Sequence, residues 1–366
     1  MFLEKGKISN FQLGLLIIGF VFGSSVIISP GQGAGHDAWI SVALGLMESL
    51  LIVWIFTTLA KQFKGMTIVE INSLVYGKIL GTCISLLFIW YLFHLGAMVL
   101  DNYASFFKLE IYANTPRIII ILALVLVCIS TVGRGIEVLA RCSAILVPIT
   151  ILIAIADSAL IIPQIDLKNL LPVLDVPISQ ILWAGHAAAS FPFAESVAFL
   201  MVLAFVDITE NVSANFLKSL LIVGIILIIV VARNFAVMGP MAAITNYPSY
   251  LLAQAIDIGE VLTRLEVLIA VNLITMGFIK VSVLLYGTVL GLAQVLNLHS
   301  YRPIILPIGI LMAILALTTF GNSVNMLNFA QKGYPVYAAF FQIGIPLITL
   351  VVAKLRKLNP TGGSKA

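Results

Sequence analysis

Long apolar runs are the feature of this sequence that most restricts its fold. A helix of about 20 apolar residues crosses the hydrocarbon core of a bilayer. Ten such runs, separated by short loops, cover residues 10–32, 38–60, 81–106, 117–133, 138–161, 179–206, 214–236, 261–297, 303–320 and 334–354. Of the 366 residues, 61% are hydrophobic and only 10% are charged, which is too few charges to build a water-soluble surface. The sequence therefore predicts an all-α integral membrane protein of ten transmembrane helices, with residues 1–366 forming one polytopic domain.

Positive charge predicts the orientation of these spans. Lys and Arg are enriched in cytoplasmic loops, and both ends of the chain are basic, so we expect both termini in the cytoplasm. Ten crossings then place thirteen basic residues inside and six outside. Reading 261–297 as two short helices would give eleven crossings and put one basic terminus outside. The ten-span arrangement predicts that Ser300 and the C-terminal tail are cytoplasmic, and that a loop near Gln331 is outside. Stretches 67–80 and 248–258 predict amphipathic surface helices.

Two predicted spans are interrupted near their middle. Span one contains Gly23, Ser24 and Ser25 before a proline and further glycines, and span six contains Phe191-Pro192-Phe193. Proline removes a backbone donor and clashes with the preceding turn. Non-helical backbone persists at membrane depth only where protein or a watery cavity satisfies it. One interpretation is that both breaks are ordinary kinks.

The positions of the breaks favour a second interpretation. Spans one and six each open a five-helix half, and five is odd, so the second half enters from the opposite side. This predicts a five-plus-five inverted repeat, with repeat one at about 8–161 and repeat two at about 178–355. Interrupted helices at matching positions of such repeats indicate a binding site at the bilayer midplane.

The segments that carry the breaks resemble a known family. PGQGAGHDAWIS (30–41) and FPFAES (191–196) are similar to segments of the spore germination permeases, the B subunits of nutrient germinant receptors in endospore-forming bacteria. That family lies in the amino acid–polyamine–organocation transporter superfamily, and the resemblance covers essentially the whole chain. His36 departs from the pattern, where we expect glutamine. The resemblance implies a location in the spore inner membrane and two partners, an A subunit and a lipoprotein C subunit.

Glu195 lies just past the second break, at a depth where an ionised carboxylate is costly. It either caps the free amides of the second half-helix, because acids suit helix N-termini, or titrates as part of a binding or ion path. The free amides at both breaks are natural holders of a substrate carboxylate.

Two polar stripes accompany the breaks. Helical spacing aligns Tyr91, His94, Met98 and Asn102 on span three, and Asn272, Thr275, Ser282 and Tyr286 on span eight. The resemblance implies that spans three and eight line the site; the alternative is hydrogen bonding between helices. The predicted substrate-binding residues are therefore Gly23, Ser24, Ser25, Tyr91, His94, Phe191, Phe193, Glu195, Thr275, Ser282 and Tyr286.

Lys280 projects away from the span-eight stripe. Its stem either snorkels to the cytoplasmic interface, which we favour, or, as in some relatives, its buried ammonium replaces a coupling sodium ion. Glu48 is a further buried acid with no obvious partner in the sequence. The cysteines Cys83, Cys128 and Cys142 have no metal-like spacing and are expected to be small buried hydrophobes.

These residues predict a function by binding. No nucleophile–base set, phosphate loop or metal cluster occurs in the sequence, so we expect no enzyme, cofactor, metal or nucleic-acid partner. The main hypothesis is a receptor subunit that binds a small nutrient, a neutral amino acid, at the midplane and triggers germination. The alternatives are a proton- or sodium-coupled amino acid transporter and an ion-channel subunit with a vestigial pocket.

Overall fold

The computed structural model of the chain describes residues 3–25, 28–207, 211–254, 266–320 and 323–358. These residues are mostly helical. The α-helices, in order, are α1 Asn10–Ser25, α2 Ala38–Gln62, α3 Ile68–Tyr76, α4 Lys78–Glu110, α5 Arg117–Gly133, α6 Ile136–Ile161, α7 Ile178–Ala188, α8 Val212–Met238, α9 Met241–Ile244, α10 Pro248–Gln254, α11 Glu266–Val295, α12 Arg302–Thr319, α13 Ser323–Asn328, α14 Tyr334–Ala339 and α15 Ile345–Leu355.

Tighter and wider turns join some of these helices. The 3-10 segments are Gln32–Asp37, Ile162–Gln164, Leu167–Leu170, Ala194–Met201 and Leu203–Phe205, and the π-helical segments are Ala189–Phe193, Phe329–Gly333 and Phe340–Gly344. One isolated bridge, between Ile8 and Val206, is the only β-pairing among the described residues.

The helices lie where the apolar runs predict them. Within the described residues, seven are long and apolar enough to cross a membrane, and α1 and α5 are shorter apolar helices. The eighth span is one helix, α11, over Glu266–Val295; its first predicted residues, 261–265, lie outside the described residues. Many large apolar side chains, such as Leu51 and Leu152, face outward. Lipid is the solvent for that surface, and the chain is a multi-pass membrane protein.

Both predicted breaks occur. Helix α1 ends at Ser25, and Gly31 then adopts a positive φ of 73°, a conformation that favours glycine. Residues 26 and 27 lie outside the described residues. In the sixth span, Phe191 leaves helical geometry at φ −133° and ψ 115°, and the Phe191–Pro192 bond is cis. Interruptions of spans one and six are therefore present in the structure.

The predicted loop near Gln331 is wrong. Residues Phe329–Gly333 form a π-helical turn inside a helical stretch that runs from Ser323 to Leu355. The preceding apolar residues continue the helix, and the wider turn admits Pro335 near the start of α14.

The two predicted surface helices agree better with the structure. Helix α3 starts at a capping box formed by Thr67 and Glu70. Helix α10 covers 248–254, and residues 255–258 lie outside the described residues.

Helix α11 lies at the centre of the molecule, in contact with α1, α4, α5 and α6. Small residues allow this close packing. A Cβ on Gly23 of α1 would lie 3.1 Å from the Met276 carbonyl oxygen, and one on Gly277 would overlap the ring of Tyr103. The middle of α11 is therefore shielded from lipid on all sides.

Two of the six basic residues predicted to lie on the outer side are arginines that pair with acidic side chains of the same chain. Arg233 is buried and donates to Asp157 at 2.8 Å. Arg117 contacts the buried Asp101. Because each is paired with an acid, neither acts as a free loop charge, and the excess of unpaired basic residues on the predicted cytoplasmic side grows.

Candidate ligand-binding site between the two helix breaks

A buried ion pair joins the sixth span to α11. One oxygen of Glu195, Oε2, contacts Nζ of Lys280. The other, Oε1, accepts a hydrogen bond of 2.7 Å from the Tyr334 hydroxyl. No backbone amide among the described residues donates to Glu195. The carboxylate therefore pairs with side chains of other helices and does not cap the second half-helix.

Lys280 is completely buried, so the prediction that it snorkels to the interface is wrong. Its ammonium lies 5.1 Å from the ring centroid of Phe20 and 5.2 Å from that of Phe191. A buried ammonium needs an opposite charge, and aromatic faces add a further attraction. The central position of α11 explains the burial, because neighbouring helices surround the part of α11 that carries Lys280.

A chain of hydrogen bonds extends from Glu195 to the last span. The hydroxyls of Tyr334 and Tyr91 are 3.0 Å apart, and Gln342 Nε2 donates to the Tyr91 hydroxyl at 2.8 Å. Gln342 also donates to the Ser190 carbonyl at 2.9 Å, beside the break. Since the proton of Tyr334 points to Glu195, Tyr91 is the donor to Tyr334. Every donor in the chain therefore points toward the carboxylate.

Sequence reasoning missed Tyr334 and Gln342. They belong to the tenth span, and the resemblance directed attention to spans one, three, six and eight. A polar Gln342 within an apolar run is the one signal that marks them, and by itself it does not name a partner.

Side-chain hydrogen bonds satisfy two backbone carbonyls near the end of α1. The Tyr103 hydroxyl donates to the Gly23 carbonyl at 2.7 Å, and the Ser25 hydroxyl turns back to the Val21 carbonyl at 2.9 Å. The side chain of Ser24 lies outside what the structure describes. In this conformation Ser25 thus hydrogen-bonds within its own helix.

Two cavities meet at the breaks. The inner cavity, of about 30 Å³, is lined by polar Asn102, Glu195 and Tyr334 among apolar residues. The outer one, of about 230 Å³, extends past Gly33, Gln180 and Lys332. Ile28, Phe191 and Ala330 line both. We call them the inner and outer cavities; the three shared residues form the wall between them.

The inner cavity is small, and one polar group in it has no hydrogen-bond partner among the described residues. A volume near 30 Å³ holds about one water molecule, so an amino acid does not fit without movement of the wall. The Asn102 side chain is buried, and its oxygen has no hydrogen-bond partner in the described part of the chain. This oxygen is available to a donor group of a ligand.

The span-three stripe lies near this site, and the span-eight stripe does not. Met98 and Asn102 line the inner cavity, whereas His94 bonds the Tyr337 hydroxyl at 3.1 Å. Tyr286 packs between Phe205 and Tyr301 instead. Thr275 lines a separate apolar cavity of about 730 Å³ against α4 and α5.

The helical periodicity of α11 explains this difference. Helix α11 presents to Glu195 the face that carries Lys280. Lys280 follows Thr275 by five residues, so the two side chains are about 140° apart around the helix. Ser282 and Phe193 are buried and line neither the inner nor the outer cavity.

Glu48 has a partner that the sequence did not reveal. Its Oε1 lies 2.8 Å from Nδ1 of His186 on α7. Both side chains are partly exposed rather than buried as expected. Neither lines the inner or outer cavity.

Comparison with known proteins identifies the family. A model described as spore germination protein matches residues 7–324. The chain belongs to this family of spore germination proteins. Spore germination protein KB of Bacillus subtilis (strain 168) is 32% identical over 360 residues, covering 97% of this chain and 96% of the relative. Spore germination protein YndE of the same strain is 26% identical over 370 residues, covering 98% and 99%.

Solved transporter structures share the fold. The crystal structure of MhsT in complex with L-phenylalanine matches with a TM-score of 0.71 at 14% identity, covering 98% of each chain. A substrate-bound, outward-open Na⁺-coupled sialic acid symporter matches with a TM-score of 0.64 at 12% identity, covering 98% of this chain and 91% of that one. The predicted all-α transporter fold is therefore confirmed, and the family is of a permease or receptor type; the number of ten crossings stays a prediction.

Proposed function

We propose that the chain is the nutrient-sensing B subunit of a spore germinant receptor and binds a small nutrient at the midplane, between the two breaks. One observation carries the proposal: the outer cavity leads to an inner cavity walled by Glu195, Tyr334 and Asn102, with Phe191 between them. Polar groups that converge in a mostly apolar cavity are typical of small-molecule sites. The breaks supply this cavity with backbone that is not committed to a helix.

The small volume of the inner cavity supports a sensing mechanism. A nutrient larger than one water molecule enters only if the wall formed by Ile28, Phe191 and Ala330 moves. Its binding then favours the expanded conformation by the difference in its affinity for the two states. The hydrogen-bond chain through Tyr91 and Gln342 links this expansion to α4 and the last span, where a signal can pass to a partner.

The charges favour a neutral nutrient. Glu195 and Lys280 compensate each other, so the site has no spare charge for a charged side chain. A neutral amino acid offers ammonium donors for the Asn102 oxygen and a carboxylate for free amides at the breaks. Of the eleven predicted ligand-binding residues, Glu195 and Phe191 line the inner cavity and are our proposed contacts for the nutrient, and Tyr91 is joined to Glu195 through Tyr334. The other eight stay predictions: Gly23, Ser24, Ser25, His94, Phe193, Thr275, Ser282 and Tyr286.

Family membership supports the cellular setting of the proposal. The receptor would lie in the spore inner membrane with both termini cytoplasmic, and would assemble with an A subunit and a lipoprotein C subunit. Nothing in this function requires catalysis.

A coupled amino acid transporter is the second candidate, because the chain shares its fold with solved transporters. Purified protein in liposomes, tested with labelled neutral amino acids under proton and sodium gradients, separates the two functions. The receptor predicts saturable binding without accumulation, and loss of the nutrient response in spores that lack the chain. Concentrative uptake would support the transporter and contradict the receptor.

A further inference from the structure

The pair Glu48–His186 lies on a lipid-facing surface. Glu48 is 35% exposed and His186 30% exposed, and their contact is 2.8 Å. Met47, 64% exposed, and Leu51, 71% exposed, flank Glu48 on α2, and Leu182 on α7 is also exposed. The pair therefore interrupts an otherwise apolar outer face, which we call the α2–α7 face.

The pair lies near the middle of a helix that is long and apolar enough to cross a membrane. Glu48 is ten residues from the start of α2 and fourteen from its end, or roughly 15 and 21 Å at 1.5 Å per residue. His186 precedes the break in the sixth span by only a few residues. Ionisable groups at such depth almost always face a protein interior or a watery cavity, and this pair lines neither cavity of the site.

The rest of the chain shows how this fold treats comparable pairs. Asp157 and Arg233 are both almost completely buried, and Arg233 has further bonds to Ser158, Asn234 and Ser249. Glu195 and Lys280 are buried as well. Among these three pairs, Glu48–His186 alone is left partly uncovered by the described residues, which leaves room for another molecule to cover it.

We propose that the α2–α7 face docks a transmembrane helix of a different membrane protein, one that places a hydrogen-bond-donating side chain at mid-membrane depth. Glu48 Oε2 has no partner in the described residues, and an ionised carboxylate only accepts hydrogen bonds. Serine, threonine, asparagine or glutamine of the partner satisfies it. A helix is required because lipid-exposed backbone must satisfy its own hydrogen bonds.

A second copy of this chain fits the face less well. In a two-fold symmetric dimer the same patch faces itself, so the other copy offers His186, which is already engaged by its own Glu48, and the apolar side chains around the pair. None of Met47, Leu51 and Leu182 carries a hydrogen-bond donor in its side chain. A partner with a donor side chain therefore fits the face better.

Site-specific photo-crosslinking tests the proposal on the full chain in the membranes of the organism that carries it. A photoreactive residue is placed at Leu51, and at Leu152 of α6 as a lipid-facing control. We expect a covalent adduct at Leu51 with an apolar segment of another membrane protein, with a donor side chain within about two turns of the crosslinked residue, and none at Leu152. Adducts with lipid only, with a second copy, or with a segment that lacks a donor would overturn the proposal.

Substitutions establish that the polar pair holds the partner. Glu48→Leu should lower the Leu51 adduct yield about threefold or more, as expected for loss of one interhelical hydrogen bond. Met47→Leu, at the neighbouring exposed position, should leave the yield unchanged. An unchanged yield with Glu48→Leu would contradict the role of the pair. If Glu48→Leu lowers the amount of folded protein, Glu48→Gln, which keeps one acceptor, should give an intermediate yield.

Discussion

At the scale of residues, the Glu195–Lys280 pair dominates the site. Each charge is stable in the bilayer only because the other is present, since removing one partner of a buried pair leaves the other uncompensated. The pair also ties the unwound part of the sixth span to the central helix α11. Its integrity is therefore a condition for the shape of the inner cavity.

Glu195→Gln should lower the free energy of unfolding by about 3–5 kcal/mol, because it leaves the buried Lys280 ammonium without an opposite charge. The double variant Glu195→Gln with Lys280→Met should recover much of this loss. Thermal unfolding in detergent, arranged as a double-mutant cycle, measures the coupling. Additive losses in the double variant would show that the two charges do not depend on each other.

Tyr334→Phe removes the neutral donor to Glu195 and leaves both charges in place. The unmet hydrogen bonds of Glu195 and Tyr91 should cost about 1–3 kcal/mol. Tyr337→Phe is the matched control, because that hydroxyl bonds His94 outside the Glu195 chain. Equal losses of melting temperature in the two variants would remove Tyr334 from the supporting set.

The sequence marks Glu195 but not its partners. Lys280 is 85 residues away and Tyr334 is 139 residues away. Which side chains meet across such separations depends on helix rotation and tilt, and these are set by packing against neighbours. Periodicity groups Thr275 with Tyr286 on one face of α11, yet it does not tell that a different face, the one with Lys280, turns to Glu195.

At the scale of elements, the sequence predicts the structure best. Apolar length and the positions of proline and glycine locate the spans and both breaks, because the bilayer admits few alternatives. The start of the last span was missed, since a π-helical turn carries the chain through Gln331 and Lys332. Polar residues there suggested a loop, and local composition does not distinguish a loop from a wide helical turn.

The segment before α1 holds several elements together. The Tyr301 hydroxyl donates to Glu4 at 2.8 Å, and Ile8 bonds Phe205 and Asp207 at 3.0 Å each. Burial raises the pKa of Tyr301 above its usual range, so the hydroxyl stays protonated as a donor. This segment therefore fastens the end of the sixth span to the start of α12.

Tyr301→Phe should loosen this fastening. Hydrogen exchange at the amides of Ile8 and Asp207 should become about fivefold or more faster, as expected for loss of about 1 kcal/mol of local stability. Tyr112→Phe, on an exposed tyrosine elsewhere, is the matched control. Unchanged exchange at both amides would show that the bridge to Phe205 holds the segment without Tyr301.

At the scale of the whole molecule, the fold shared with solved transporters and the distribution of basic residues together predict how the chain is oriented in the membrane. Ten crossings with cytoplasmic termini place Ser300 inside and Gln331 outside, and Gln331 lines the outer cavity with Gly33. Division into repeats at about 8–161 and 178–355 goes with this arrangement. The basic residues that remain unpaired in loops favour it.

Cysteine labelling measures this orientation. In a background without Cys83, Cys128 and Cys142, a membrane-impermeant thiol reagent should label Gln331→Cys from outside. Ser300→Cys should be labelled only after the membrane is permeabilised. Labelling of both from the same side would contradict the ten-crossing arrangement.

The most direct test of the central claim is nutrient binding to a chain whose outer cavity is blocked. Ala187 lines the outer cavity, and Ala154 lines a separate lateral cavity of about 370 Å³ against α8. Ala187→Trp should abolish saturable binding of the neutral amino acid that the parent chain binds in nanodiscs, and Ala154→Trp should retain it. Unchanged affinity in a folded Ala187→Trp variant would contradict a site between the two breaks.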